Sequence, residues 1–166
     1  PATILALGDS VTEGLRASTA ANRWTNLLQD ELRAAFPTSA TGTAGGVGYL
    51  ASYHAHGAFT GPSTTGTVRN SLRGLGYRAL TLHDGSTVTY SNVTGTTVRV
   101  WFASVAFSGP LQVSIDGGPS IAVPTFSSGS SYHDEWVDLD LGGPGRHQVV
   151  ISRGEGGFDP DFGGIQ

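Results

Sequence analysis

The chain contains no cysteine, no methionine and no lysine among its 166 residues. Without cysteine it forms no disulfide framework and no thiolate metal site. It opens on Pro1-Ala2-Thr3 rather than methionine, which reads as a processed or trimmed start. All basic residues are arginine, a bias that fits a high-GC bacterial genome. Charge is scarce too: 13% of residues are charged and the formal net charge is -4. That leaves no basic face for nucleic acid. No apolar run approaches the roughly 18–20 residues of a membrane span. Low charge with abundant Gly, Ser and Thr leans toward a secreted, extracellular protein.

What is present falls into two kinds of pattern. Thr3–Leu7 is a continuous apolar run, the signature of a strand buried on both faces. Gly8–Gly14 follows as a turn, and Ser18 or Thr19 is placed to cap a helix. Trp24, Leu27, Leu28, Leu32, Ala35 and Phe36 recur at helical spacing until Pro37 stops them. Strand, turn and helix make the first half of a βαβ unit, whose next step is a second parallel strand.

That step does not come. From Thr38 to about Arg73 the chain is rich in Gly, Ser and Thr, and beyond it the period becomes two. Strands are expected at Tyr77–Leu82, Thr87–Tyr90, Thr97–Ala103, Leu111–Ile115, Ile121–Val123, Glu135–Leu141 and His147–Ser152. Asp84-Gly85, Asp116-Gly117-Gly118 and Gly142-Gly143-Pro144-Gly145 read as turns between them. Short strands at this spacing indicate a β-sandwich, of jelly-roll type. Two domains are therefore expected. Residues 1–37 begin an α/β domain too small to close a core. Residues 38–166 form an inserted sandwich, with an exit strand in Phe158–Gln166.

Ser10 carries the candidate chemistry. The turn lifts its hydroxyl to the carboxyl end of a strand, where α/β sheets place their chemistry. Gly8-Asp9-Ser10-Val11-Thr12-Glu13-Gly14 behind an N-terminal strand resembles the first block of the SGNH (GDSL) hydrolases. The layout is similar to a subgroup with a jelly roll inserted after the first helix, and Gly74-Leu75-Gly76-Tyr77-Arg78-Ala79 fits that subgroup. The resemblance covers about the first 37 residues and implies a flavodoxin-like three-layer α/β fold. It also implies a serine esterase or deacetylase acting on a small acyl ester, such as an acetylated carbohydrate, without a cofactor. Ser10 would be the nucleophile and an oxyanion donor, Asp9 would shape the turn, and Thr12 and Gly14 would support it.

A serine needs a base to become nucleophilic, and its oxyanion needs several donors. The family takes these from later blocks, including a C-terminal Asp-x-x-His, and no histidine here has an aspartate three residues before it. The expectation is that they lie beyond residue 166 or on a companion polypeptide. Gly8–Gly14 also lacks the lysine of a phosphate-binding P-loop.

Other residues leave readings open. His54 and His56 alternate as strand neighbours that could share a metal, or are plain surface histidines. His133-Asp134-Glu135 could offer Ser10 a base, or end a surface strand. Asp159-Pro160-Asp161 could give oxygens to calcium, or form a turn. His83 and His147 flank turns and are expected to be solvated. Trp101, Trp136, Tyr132 and Phe107 could form a sugar-stacking platform on the sandwich. The competing expectation is that alternation buries most of them. The alternative to an esterase is thus a carbohydrate-binding β-sandwich module without catalysis.

Overall fold

A computed structural model describes residues 12, 16–18, 22–36, 50–52, 62–129 and 131–166. The chain forms two compact units. The described helix belongs to the first unit and nine described strands to the second.

The helix α1 spans Trp24–Ala35, where the helical spacing places it. Its N-cap is Arg23, without a side-chain cap, so the expected Ser18 cap is not made. Ser18 Oγ instead accepts a hydrogen bond from Asn22 at 2.7 Å. No residue of α1 is buried. Thr3–Leu7, read as a strand, and Thr19 lie outside the described residues.

The second unit is an antiparallel sheet that curls on itself like a jelly roll. Its strands are β1 (Leu50–Ala51), β2 (Ser63–Thr65), β3 (Val68–Ser71), β4 (Ala79–Leu82), β5 (Thr87–Ser104), β6 (Leu111–Ile115), β7 (Ile121–Val123), β8 (His133–Arg153) and β9 (Asp161–Ile165). The main path runs β3-β4-β9-β5-β8-β6-β7, with β1 on β9 and β2 on β5. Two long strands make the curl. Residues 87–90 of β5 pair with 149–152 of β8, and residues 97–104 pair with 133–140. Register shifts at Tyr90/Val93 and Gly95/Thr97 separate these stretches. Such irregularities bend a strand and let it serve two sheets.

The core lies inside the curl. Leu80, Leu82, Val88, Tyr90, Val98, Val100, Phe102, Leu111, Val113, Val149, Ile151, Phe162 and Ile165 form one cluster. Burying each large side chain contributes about 1.5–3 kcal/mol. Val98, Val100 and Phe102 occupy the inner face of β5, so period two sends Arg99 and Trp101 outward. Val137 and Leu139 pack toward the core from β8, which turns Trp136 and Asp138 outward.

Several elements differ from the sequence reading. Two expected pairs of strands merge into β5 and β8, because bulges rather than reversals join them. Gly142-Gly143-Pro144-Gly145 is therefore an irregularity within β8, not a turn between strands. Gly142 and Gly143 adopt positive φ there, at 84° and 143°. Strands β2 and β3 arise in the Gly/Ser/Thr-rich segment, where pairing with β5 and β4 overrides weak propensity. Leu75–Tyr77 is a 3₁₀ turn, and β4 begins at Ala79 rather than Tyr77. The Asp116-Gly117-Gly118 hairpin turn, β6 and β7 fall where expected, and β9 lies within Phe158–Gln166.

Candidate functional site

Asp9 and Ser10 lie outside the described residues, as do Gly14, His54 and His56. Thr12 sits in a half-buried turn of the first unit. The candidate site described by the structure is on the sandwich.

On its outer face, cross-strand register places Trp101 opposite Trp136 and Arg99 opposite Asp138. The two indoles stack with centroids 4.9 Å apart at 46°. Arg99 lies 5.1 Å from the Trp136 ring and 5.9 Å from the Trp101 ring, within cation–π range. Its Nε and an Nη donate to the two carboxylate oxygens of Asp138 at 2.7 and 2.9 Å. This fork fixes both groups in one plane. Hydrogen bonding to Asp138 raises the Arg99 pKa, and the guanidinium lowers that of Asp138.

Trp101 is the half-buried base of this stack, and Trp136, 51% exposed, is its open surface. On the other side of β5, Gly164 of β9 is opposite Trp101. A Cβ on neighbouring Gly163 would lie 3.4 Å from the Trp101 Cβ. Glycine there lets the backbone of β9 approach the tryptophan. The Trp101 Nε1 donor is buried without a partner among the described residues.

Tyr132, just before β8, and Tyr77 are both exposed. Partial desolvation, helped by Tyr77 and Asp134, raises the Tyr132 phenol pKa. Desolvation also raises the Asp134 carboxyl. The outer face of β5 and β8 thus carries Trp136 open to solvent, with the Arg99–Asp138 pair beside it. Of the proposed platform residues, Trp136, Tyr132 and Phe107 are exposed, which corrects the expectation that alternation buries most of them. Other side chains, among them Tyr90, Val98, Val100, Phe102, Val149 and Ile151, already fill the inner positions of β5 and β8.

His133, Asp134 and Glu135 are exposed at the start of β8, whereas the aspartates of the calcium reading are tied to protein side chains. Asp161 is 2% exposed, accepts from Thr81 Oγ1 at 2.5 Å and pairs with Arg73 at 2.8 Å. Asp159 meets His83 Nδ1 at 2.6 Å and Arg153 Nε at 3.0 Å, the latter an ion pair without hydrogen-bond alignment. Arg153 also pairs with Asp84. Both aspartates of the calcium reading are therefore committed to protein cations. No cluster of metal-binding side chains occurs among the described residues. His147, expected to be solvated, has a side chain only 11% exposed. Its Nδ1 meets Asp116 at 2.7 Å and its Nε2 meets the Gly143 carbonyl at 3.0 Å. His83 is likewise part-buried. No helix among the described residues is long and apolar enough to cross a membrane.

Sequence reasoning missed the Arg99–Asp138 fork, Arg73 and Phe158. The alternation of Arg99 with Val98 and Val100 signalled an outward arginine. Its partner, 39 residues away, had no local signal.

No family model matches the chain, and no curated protein does. Solved structures do match it. An exo-β-1,3-galactanase from Phanerochaete chrysosporium, determined with galactose, is 25% identical with a TM-score of 0.52, over 75% of this chain and 30% of that one. A two-domain esterase active on acetylated mannans has a TM-score of 0.50 at 11% identity, over 63% of this chain and 32% of that one. The esterase likeness is one of fold. A family 35 carbohydrate binding module from Clostridium thermocellum has a TM-score of 0.47 at 16% identity, over 63% of this chain and 90% of that one. The chain spans about a third of the length of the galactanase and esterase that it resembles.

Proposed function

We propose that the β-sandwich binds carbohydrate through the outer face of β5 and β8. The observation that carries this reading is Trp136, exposed and stacked on Trp101 beside the Arg99–Asp138 fork. A pyranose ring has an apolar C–H face that packs on an indole, while its hydroxyls seek planar donors and acceptors. Trp136 offers the first, and Arg99 with Asp138 offers the second. The similarity to a galactanase crystallised with galactose supports the reading. Scarce charge with abundant Gly, Ser and Thr suits an exported protein meeting polysaccharide outside the cell.

Affinity gels loaded with galactan or mannan test it. Retardation is expected for the unmodified chain and for Ser10→Ala, and is expected to disappear in Trp136→Ala. Equal retardation of Trp136→Ala removes this face from the function.

The second reading, esterase or deacetylase activity at Ser10, draws on the Gly8–Gly14 block and on one feature of the sandwich. Strand β1 pairs with β9, Leu50 opposite Ile165 and Ala51 opposite Gly164. Entry and exit strands are thus neighbours, as a domain inserted into another requires. In this reading Ser10 attacks an ester carbonyl, the alcohol leaves, and water then releases the acid from the acyl-serine. The base and remaining oxyanion donors come from outside this sequence, and Asp9 shapes the turn. The sandwich binds the glycan part of the acylated substrate. Intact-mass spectrometry of the native protein with a fluorophosphonate probe decides this. One adduct on the Ser10 peptide supports a serine hydrolase, and no adduct leaves a binding module alone.

A further inference from the structure

A second aromatic site, sharing no residue with the Trp101–Trp136 face, is built by the loops leading from β5 to β6 and from β8 to β9. The two loops are joined by their backbones. Phe158 N–H donates to the Phe107 carbonyl and Gly109 N–H donates to the Phe158 carbonyl, both at 2.7 Å. This closeness depends on glycine. A Cβ on Gly109 would overlap the Gly156 carbonyl oxygen, and one on Gly157 would lie 2.5 Å from Gly109 N. Thr125, fully buried, donates to the Gly109 carbonyl at 2.5 Å and bonds Ser108 Oγ at 2.7 Å. Phe107 itself sits at φ 62°, a left-handed conformation that is costly for an aromatic residue.

This backbone holds two phenyl rings out in water. Phe107 is 68% exposed and Phe158 70%, edge to face at 6.3 Å. Folding by itself gains nothing from strain that exposes apolar rings. Beside Phe158 lies a pocket of about 250 Å³ lined by Arg73, Val105, Ala106, Ser108, Phe158 and Asp159. Its charges are already balanced. Arg73 is tied to buried Asp161, and Asp159 to His83 and Arg153. An anionic ligand would have to compete with Asp161 for the guanidinium. What remains is an aromatic wall, small apolar groups and the free hydrogen-bonding capacity of Arg73, Ser108 and Asp159.

We infer that this pocket is a subsite for one neutral pyranose unit of a glycan. The inference rests on the carbohydrate reading but not on the Trp136 face. The Phe158 ring stacks on the sugar, and Arg73 and Asp159 bond its hydroxyls. The volume admits a single ring rather than a longer segment, so the pocket takes a chain end or a branch.

Proton–nitrogen NMR titration of the full chain with galactose, glucose, mannose and glucuronate tests this. A neutral hexose is expected to shift the amides of residues 105–110 and 154–160. Phe158→Ala is expected to weaken those shifts about tenfold or more, while Trp136→Ala leaves them intact. Phe158 is mostly exposed, so an unchanged melting temperature shows that its loss of binding is not unfolding. Shifts confined to the Trp136 face overturn the pocket and leave the platform standing. Shifts in these loops with normal gel retardation of Trp136→Ala overturn the platform and leave the pocket. Glucuronate binding more tightly than every neutral hexose, or no response to any sugar, overturns the inference.

Discussion

Trp101 on β5 and Trp136 on β8 lie directly opposite each other with ring centroids 4.9 Å apart, on the face of the sheet that turns away from the core. An aromatic pair at a cross-strand position adds about 0.5–1.5 kcal/mol beyond its buried area. Half of Trp136 is nonetheless left to solvent. Trp136→Ala is therefore expected to cost about 1 kcal/mol of stability while abolishing retention on a polysaccharide gel. Chemical denaturation and affinity electrophoresis on the same preparation separate the two effects.

Asp161 is a buried carboxylate whose partners are Arg73 and Thr81. Asp161→Ala strands the Thr81 hydroxyl and frees Arg73, with an expected loss of about 2 kcal/mol. Because Arg73 is half open to water, the loss stays below that of a fully buried broken pair. Urea denaturation gives the number. Sugar shifts at the Phe158 pocket are also expected to weaken, because Arg73 loses its anchor.

His147 meets acceptors at both ring nitrogens, a carboxylate and a carbonyl, so the imidazolium satisfies the site best. The hydrogen bond to Asp116 raises the His147 pKa. Backbone bonding from Gln148 and then His147 lower that of Asp116. The histidine contribution is complete below the ordinary imidazole pKa near 6.5 and is lost as pH rises through the raised value. The aspartate contribution is complete above its ordinary pKa and is lost as pH falls through the lowered one. Melting temperature followed from pH 4 to 9 is expected to fall on the alkaline side. In His147→Ala that fall should flatten, and an unchanged slope would remove His147 as its source.

Phe162 is fully buried in the core cluster, edge-on to Tyr90 at 6.1 Å. Phe162→Ala is expected to cost about 3–5 kcal/mol, enough to unfold much of a marginally stable sandwich. Near-ultraviolet circular dichroism checks this directly.

Gly109→Ala would drive a methyl group into the Gly156 carbonyl. The two loops must part, at an expected cost of about 1–3 kcal/mol. Gly85→Ala is the control, because its Cβ position is open and only its positive φ resists. The comparison reads packing against backbone conformation alone in thermal melts.

By itself the sequence determined the class of the helix and of the main strands, though not of β2 and β3. Helical spacing from Trp24 to Phe36 marked α1, and period two marked β5 to β8, because side-chain direction follows the backbone repeat. The phase of that alternation already turned Arg99, Trp101, Trp136 and Asp138 to one side of their strands. The resemblance around Asp9 and Ser10 is likewise a property of sequence alone, since both residues lie outside the described structure. Only the tertiary structure decided which outward residues meet. Register across β5 and β8 brings Arg99 to Asp138 from 39 residues away, and no local pattern encodes a pairing between distant strands. The same holds for Asp161, read as turn or ligand, which burial beside Arg73 and Thr81 made a structural anion. It holds for Phe107 and Phe158, whose exposure depends on two glycine loops that touch only once the sheet has curled.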